Sequence, residues 1–413
     1  MKLDDLTPDS YQKRIIDDFT AERTIVVTGV AGSGKSLTLL KKAKQVSTYS
    51  DSYAIIVYTK SLKQFFRDEL SEIDPKGEHV YYLDEWRRSK QHYKYLFIDE
   101  CQDFNADEIA DFAEHGEYLW LFGDNNQSIM AFKATINNPE SYHTVQSVED
   151  TIKQLNAEHQ DLCLNHRLTI ENAAVGEHIF PDTNLRDACL KHGPKPLLLT
   201  TDARAKELDE IIRIIRDNSL TNVGILNHYN RNINFIREHF ASKGIAVEWK
   251  TNSTEGNIDF NSTNPKVMTI HCAKGLQFSY VFIPFCHEPT TYDDEKATLY
   301  VASTRPLTQL ILTSTGSPSQ SLPPEGFRHL RIGINPAVPI SLTLAENHEI
   351  LHSDLKSQSR QYTPVRKHLP AFVLPATCFR LSFIGNPDRV PGNQCHHTLR
   401  PSGRIPHSRH RSL

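Results

Sequence analysis

A group of residues near the start of the chain has the types and spacing of a phosphate-binding loop. Gly29, Gly34, Lys35 and Ser36 fit the pattern G-x-x-x-x-G-K-[ST], and Gly32 lies inside it. Glycines let the backbone curl so that successive N–H groups point at a phosphate. The lysine would reach the β- and γ-phosphates, and the serine hydroxyl would hold Mg²⁺. The pattern predicts a nucleotide site formed by Gly29, Val30, Ala31, Gly32, Ser33, Gly34, Lys35 and Ser36.

Two carboxylates follow an apolar run in the first quarter of the chain. Residues 95–98 read Tyr-Leu-Phe-Ile, which is typical of a buried strand, and Asp99 and Glu100 come directly after it. In a parallel α/β sheet, ligands bind at the carboxyl ends of the strands. Asp99 is suited to holding Mg²⁺ through water, and Glu100 to polarising an attacking water. Solvated acids at a strand end are the alternative, which the phosphate-binding loop upstream disfavours.

Other amide and aromatic side chains lie beside predicted strands. Gln12, just upstream of the loop, could present its amide to both hydrogen-bonding edges of adenine, although such a residue alone is more often a solvated helix residue. Gln127, just past a predicted strand, could sense a γ-phosphate or orient water. Tyr58 could stack on a base or lie in the core, with equal weight. Phe132 and Lys133 pair an aromatic ring with a cation, as a single-strand stacking site does.

The elements that must position these residues alternate between strands and helices. This alternation predicts an α/β fold with two doubly wound parallel-sheet domains, residues 1–150 and 151–316, with a boundary near residues 148–161. Residues 71–94 read as a short polar connection. The predicted strands are 24–28, 54–58, 95–98, 118–122, 222–227, 266–270, 280–285 and 310–313, and the predicted helices are 4–19, 36–45, 62–73, 202–217, 229–242 and 299–305.

Composition limits the class of protein. The 413 residues carry a net charge of −4, so any nucleic-acid site must be a local groove and not a generally basic surface. Seven scattered cysteines without a C-x-x-C pair argue against a disulfide framework or a zinc site and favour a reducing cytoplasm. The polar, acidic first residues are not a signal peptide, and no apolar run approaches the ~20 residues of a membrane span, so no membrane partner is expected.

The composition changes after Gly316. Residues 317–413 are interrupted by prolines, and from residue 361 onward Asp388 is the sole acid among many arginines. We expect most of this tail to be disordered. It is either a basic arm for nucleic acid or an end with no selected role, and the sequence favours neither.

Five further motifs occur in an order that resembles the superfamily 1 helicases of the UvrD/Rep type, over about residues 6–313. They are DECQD at 99–103 (D-E-x-Q-D in the family), GDNNQSI at 123–129 (G-D-x-x-Q-S-I), LCLNHR at 162–167 (L-x-x-N-Y-R), HCAKGLQF at 271–278 (H-x-x-K-G-L-E-F) and YVASTR at 300–305 (Y-V-A-x-T-R). One such string is weak, but the whole set in this order is a specific signal.

The resemblance implies two RecA-like motor domains in tandem, with ATP and Mg²⁺ between them. Gln12 would read adenine, Lys35 and Ser36 would bind phosphate and Mg²⁺, Asp99 would hold the metal and Glu100 would be the general base. Gln127 would couple the γ-phosphate to DNA, and Arg167 and Arg305 would be arginine fingers. His166 and Gln277 occupy the positions that contact the base and the ribose, and the nucleic-acid contacts would be Tyr58, Phe132, Lys133 and His271.

By the same resemblance, the activity is ATP-driven 3′-to-5′ movement on single-stranded DNA, in repair, recombination or phage defence, with RNA left open as a substrate. His166 stands where the family usually has tyrosine, and Gln277 where it has glutamate. Residues 71–94 and 168–265 leave little room for the family's large inserted domains, so we expect a minimal motor that needs a protein partner to engage duplex. The alternative is a nucleotide-gated effector subunit with little unwinding of its own.

Overall fold

Two parallel β-sheets organise the chain. The computed structural model describes residues 7–18, 22–131, 143–251, 258–288, 295–324 and 326–333, all within one compact unit, residues 1–353. The elements of the first half are α1 (Ser10–Ile16), β1 (Ile25–Gly29), α2 (Lys35–Ser47), β2 (Tyr53–Val57), α3 (Lys60–Glu69), β3 (Val80–Tyr82), α4 (Leu83–Ser89), β4 (Tyr93–Ile98), α5 (Ala106–His115), β5 (Gly116–Gly123), α6 (Val148–Leu155) and β6 (Glu158–Leu162).

The first sheet has six strands in the order β3-β2-β4-β5-β1-β6, all parallel. Successive side chains of a strand point to opposite faces, which explains the unbroken apolar runs. In β1, Ile25 and Val27 pack with α2 and α3, whereas Val26 packs with residues of α4, α5 and α6 on the other face. The carboxyl ends of the adjacent strands β4, β5 and β1 therefore meet at one edge, where the predicted site residues lie.

The second sheet has seven parallel strands in the order β11-β12-β10-β13-β14-β9-β15, and β7 and β8 pair separately. Its core also lies on both faces. The elements of this half are β7 (Asn165–Thr169), α7 (Ile170–Ile179), β8 (Cys189–Lys191), β9 (Leu197–Thr201), α8 (Arg204–Asp217), β10 (Val223–Asn227), α9 (Asn230–Ser242), β11 (Glu248–Lys250), β12 (Lys266–Thr269), α10 (Ile270–Ala273), β13 (Phe278–Ile283), α11 (Glu295–Ser303), β14 (Pro306–Thr315) and β15 (Arg331–Gly333).

This architecture confirms the predicted α/β class with parallel sheets. The domain limits 1–150, 151–316 and 317–413 stay predictions. In the structure, β6 belongs to the first sheet although it follows residue 150, and β15 belongs to the second sheet although it follows residue 316. The predicted disordered tail lies outside the described residues from 334 onward. Within the described ranges, no helix is both long and apolar enough to span a bilayer.

The short polar stretch 71–94 contains elements that the sequence analysis did not predict. β3 extends the first sheet beside β2, and α4 follows it directly. The apolar residues Val80, Leu83 and Trp86 are buried although their neighbours are polar. Too few apolar residues are present here to give a periodic signal, so the fold of this stretch depends on the sheet that receives it.

Trp86→Ala is expected to lower the free energy of unfolding by about 3–5 kcal/mol, because a large buried ring leaves a cavity. The Trp86 ring is fully buried, lies edge-on to Phe112 and donates its Nε1–H to Asp111 at 2.9 Å. Urea denaturation measures the change. Trp249→Ala, at a ring that is 36% exposed, is the matched control and should cost less than about 1 kcal/mol. Equal effects of the two substitutions would contradict the burial of Trp86.

Candidate nucleotide-binding site

The loop between β1 and α2 has the curled backbone that the glycine pattern predicts. Gly32 and Gly34 have positive φ angles of 90° and 84°. A Cβ atom would lie 2.4 Å from Asn165 Oδ1 at position 32, and 2.3 Å from Gln12 Nε2 at position 34. Both positions therefore favour glycine for two reasons: the backbone is in the left-handed region, and a Cβ atom would lie too close to a neighbouring side chain.

Lys35 opens α2, and its ammonium folds back over this loop. Nζ donates to the carbonyl oxygen of Gly29 at 2.6 Å and lies 3.4 Å from that of Val30. The Asp124 carboxylate is 3.9 Å away, and the lysine side chain is only 7% exposed. The loop thus holds a nearly buried positive charge over its own backbone, where a phosphate could be bound.

Ser36 and Asp99 meet across the carboxyl ends of β1 and β4. Ser36 Oγ donates to Asp99 Oδ2 at 2.8 Å, and Asp99 is fully buried. Burial, together with the adjacent Glu100 charge, raises the pKa of Asp99 to about 7. Asp99 Oδ1 has no hydrogen-bond partner in the described part of the chain. An unsatisfied carboxylate oxygen beside a hydroxyl is a donor set that Mg²⁺ prefers, so these residues fit the metal that the resemblance implies.

Glu100 is held in a left-handed backbone conformation, with φ of 55°. Gln102 Nε2 donates to its Oε2 at 2.6 Å, and Lys274 Nζ lies 3.9 Å from the same oxygen. Burial alone would raise the pKa of Glu100, but the ammonium groups of Lys274 and Lys35, the hydrogen bond from Gln102 and the charge of Arg305 together hold this pKa below its usual value. The carboxylate is therefore kept charged at neutral pH, as a proton acceptor must be.

Gln127 connects the first sheet with Arg305, which precedes β14. Its Nε2 donates to Asp124 Oδ2 at 2.8 Å, and its Oε1 accepts from Arg305 Nη2. Arg305 is 1% exposed and also donates Nε–H to the Val301 carbonyl at 2.9 Å. Burial lowers the pKa of this guanidinium, which nonetheless stays charged. A buried cation from the second half thus faces the acidic edge of the first sheet.

Arg167 lies beside Arg305. Its Nη1 donates to the Thr304 carbonyl at 3.2 Å, while its buried Nε has no partner within the described ranges. Burial, and then the charge of Arg305, lower its pKa to about 9. The hydroxyl of Ser33 is likewise buried without a partner among these residues. These unsatisfied polar atoms could be satisfied by a polar ligand in the cleft.

The predicted base-reading residues are brought to the loop, but their polar atoms contact protein. Gln12 Nε2 donates to the Ser33 carbonyl at 3.0 Å. His166 Nε2 lies 2.6 Å from Asp9 Oδ2. Gln277 is half-buried in the connection before β13.

Two of the four predicted nucleic-acid residues, Tyr58 and His271, lie within the described structure. Tyr58 is half-buried, with its ring 5.4 Å from Phe104 and 5.8 Å from His143, so the core packing that was one of its two interpretations is present. His271 is partly buried, with its ring 5.5 Å from that of His228. Phe132 and Lys133 lie outside the described residues. A role in nucleic-acid binding stays a prediction for all four.

Sequence reasoning missed the ion pair between Lys274 and Asp103. Lys274 Nζ donates to both Asp103 oxygens at 2.7 and 2.6 Å, and to the Gln127 carbonyl. Both side chains are almost fully buried. Lys274 precedes β13 of the second sheet, whereas Asp103 follows β4 of the first, so the pair joins the two halves. Each residue lies in one of the helicase-like motifs, but neither motif alone indicates that the two side chains pair.

Lys274→Met is expected to cost about 3–5 kcal/mol of unfolding free energy, because the Asp103 carboxylate is then buried without its counter-ion. The double variant Lys274→Met/Asp103→Asn should recover most of this loss, since neither charge remains. Chemical denaturation of both variants measures the difference. Lys153→Met, at an exposed pair with Asp150, is the control and should cost less than about 1 kcal/mol. A double variant as unstable as the single one would contradict the pairing.

Two family models match the chain, one after the other. The model described as the viral superfamily 1 RNA helicase core domain matches residues 25–224. The model described as the UvrD-like helicase C-terminal domain matches residues 266–313, which include Lys274 and Arg305. Among curated proteins, none matches the sequence of the chain.

Solved structures resemble the fold. S. cerevisiae Dbp5 bound to RNA and ADP BeF3 superposes with a TM-score of 0.52 at 12% identity, over 84% of this chain and 94% of that one. A single-residue variant of Dbp5 with the same ligands gives 0.53 at 12% identity, over 86% and 95%. The arterivirus nonstructural protein 10 helicase gives only 0.40 at 15% identity, over 73% of this chain and 62% of that one, which is too low to bear on the fold. The Dbp5 likeness agrees with the predicted tandem arrangement, and the two family matches show that this chain contains a superfamily 1 helicase core.

Proposed function

We propose that this protein is an ATP-driven motor that moves along single-stranded DNA. The observation that carries the proposal is the convergence of unlike charges at one cleft. Lys35, Asp99 and Glu100 lie at the edge of the first sheet. Arg167 and Arg305, from the second half of the chain, face this edge across the cleft. Among proteins of similar fold, Dbp5 has been seen with ADP BeF3 in place.

The residues of the cleft have separate tasks in this proposal. The loop N–H groups and Lys35 bind the phosphates of ATP, and Glu100 accepts a proton from the attacking water. Arg167 and Arg305 stabilise the charge that develops on the γ-phosphate. Ser36 and Asp99 would hold Mg²⁺, which would supply Lewis-acid stabilisation of the phosphate oxygens. Gln127, which contacts both Asp124 and Arg305, relays the state of the phosphate to the second half.

Movement follows when the cleft closes on ATP and reopens after hydrolysis. In this proposal the nucleic-acid contacts are Tyr58, Phe132, Lys133 and His271, and the motor moves in the 3′-to-5′ direction. The protein acts in the cytoplasm, in repair, recombination or phage defence, and a protein partner helps it to engage duplex DNA. RNA is the alternative substrate, since stacking does not distinguish sugars. Dbp5, which has a similar fold, is seen bound to RNA.

Steady-state ATP hydrolysis with single-stranded DNA, single-stranded RNA or neither tests the proposal. We expect DNA to stimulate hydrolysis strongly, with no activity in the Lys35→Ala variant. Hydrolysis that is stimulated by RNA but not by DNA would show that the motor moves on RNA. Hydrolysis that ignores both nucleic acids but requires Lys35 would refute the motor and favour a nucleotide-gated effector.

A further inference from the structure

Gln12 is fastened to the phosphate-binding loop through both ends of its amide. Nε2 donates to the Ser33 carbonyl at 3.0 Å, and Oε1 accepts from the Asp9 backbone N–H at 3.1 Å. The side chain is 1% exposed, and its Nε2 occupies the space where a Cβ of residue 34 would lie. Gln12 therefore supports the left-handed turn at Gly34 that starts α2.

Asp9 and His166 fix the same turn from the other side. Asp9 Oδ1 caps α1 by accepting from the N–H groups of Tyr11 and Gln12, at 2.7 and 2.9 Å. Its Oδ2 lies 2.6 Å from His166 Nε2, and the His166 backbone N–H donates to the Gly32 carbonyl at 3.0 Å. We call Asp9, Gln12 and His166 the loop bracket, because together they hold Gly32, Ser33 and Gly34.

These contacts engage the groups that would read a base. An amide recognises adenine by turning one donor and one acceptor to the edge of the base. In Gln12 each end of the amide already makes one bond to the backbone, and because the side chain is buried, its second N–H and second lone pair do not reach the surface. The His166 side chain is 36% exposed, but its Nε2 is directed at Asp9, so the ring offers chiefly a face for stacking. Every base has a face that can stack, so this contact does not select among bases.

We propose that the loop bracket shapes the phosphate site and that the protein selects the phosphates of its substrate but not the base. Purine and pyrimidine nucleotides are then bound alike. This inference rests on the proposed nucleotide site, and it departs from the adenine-reading role that the family resemblance implies for Gln12. In this arrangement Gln12 is a positioning residue for the loop.

Calorimetric titration of the full chain with ADP, GDP, CDP and pyrophosphate tests the inference. The wild-type affinities for the three nucleotides should agree within about threefold, a comparison that needs no variant. Gln12→Ala should weaken all three nucleotides and pyrophosphate by the same factor of about tenfold, because a hydrogen bond that shapes the loop is lost. Tyr11→Ala, at an exposed ring on the same helix, should change none of them.

The outcomes separate the inference from the proposed function. A wild-type preference for ADP on the order of 100-fold or more, as a base-reading amide gives, would overturn the inference and leave the nucleotide site standing. The inference is likewise overturned if Gln12→Ala weakens ADP binding while pyrophosphate binding is unchanged. If neither pyrophosphate nor any nucleotide binds the wild-type protein, the proposed function fails and the inference fails with it.

Discussion

Arg305→Ala is expected to lower kcat for nucleic-acid-stimulated ATP hydrolysis by about 10³–10⁵-fold, the range that arginine fingers supply in phosphoryl transfer. The guanidinium lies 1% exposed between the two halves, and its Nη2 contacts Gln127 Oε1. Because the site is dry, its charge is poorly screened and acts strongly on a developing negative charge. Nucleotide affinity should change far less than kcat, since the charge is needed mainly in the transition state.

The design of this experiment separates charge from packing. Arg305→Lys keeps the charge but loses the forked geometry, so it should recover only part of the rate. Arg216→Ala, at an exposed arginine at the end of α8, is the matched control and should leave kcat unchanged. The double variant Arg167→Ala/Arg305→Ala should raise the activation free energy by less than the sum of the two single increases, because both residues act on one charge. A kcat within tenfold of wild type in Arg305→Ala would exclude the finger role.

The features that could be predicted from sequence are those that depend on local spacing. The loop at residues 29–36 and the carboxylates after β4 were predicted because their chemistry requires particular residue types at fixed intervals. The strands that carry them were predicted because parallel strands are apolar on both faces. The structure places Lys35, Ser36, Asp99 and Glu100 at one sheet edge, as the strand-end argument requires.

The features that could not be predicted depend on long-range placement. Lys274 and Asp103 are 171 residues apart, and nothing in either motif alone indicates that they pair. The contact of Gln12 with the Ser33 carbonyl likewise depends on where α1 lies against the loop. Residues 71–94 lack a periodic pattern, so the burial of Trp86 depends on the neighbouring helix and sheet.

Glu100→Gln is expected to lower kcat by about 10²–10⁴-fold, the usual contribution of a positioned general base. The substitution keeps the shape of the side chain and an oxygen that can accept from Gln102, 2.6 Å away in the wild type. It removes the negative charge that faces Lys274 and Lys35. Rapid-quench hydrolysis in a single turnover, beside nucleotide titration, measures chemistry and binding separately. Binding should change by less than about threefold, because the base acts only when the water is attacked.

A matched acid outside the cleft provides the control for this prediction. Glu158→Gln removes an exposed carboxylate on β6 that pairs with Arg23, and it should leave the single-turnover rate unchanged. Glu100→Gln should bind ATP but hydrolyse it slowly, so with ATP present this variant should keep the nucleic-acid affinity of the ATP-bound state. Arg305→Ala should not keep that affinity, because it removes a contact with Gln127 that joins the two halves. A Glu100→Gln variant that keeps more than a tenth of the wild-type rate would show that another group takes the proton, and the assignment of Glu100 would then have to be withdrawn.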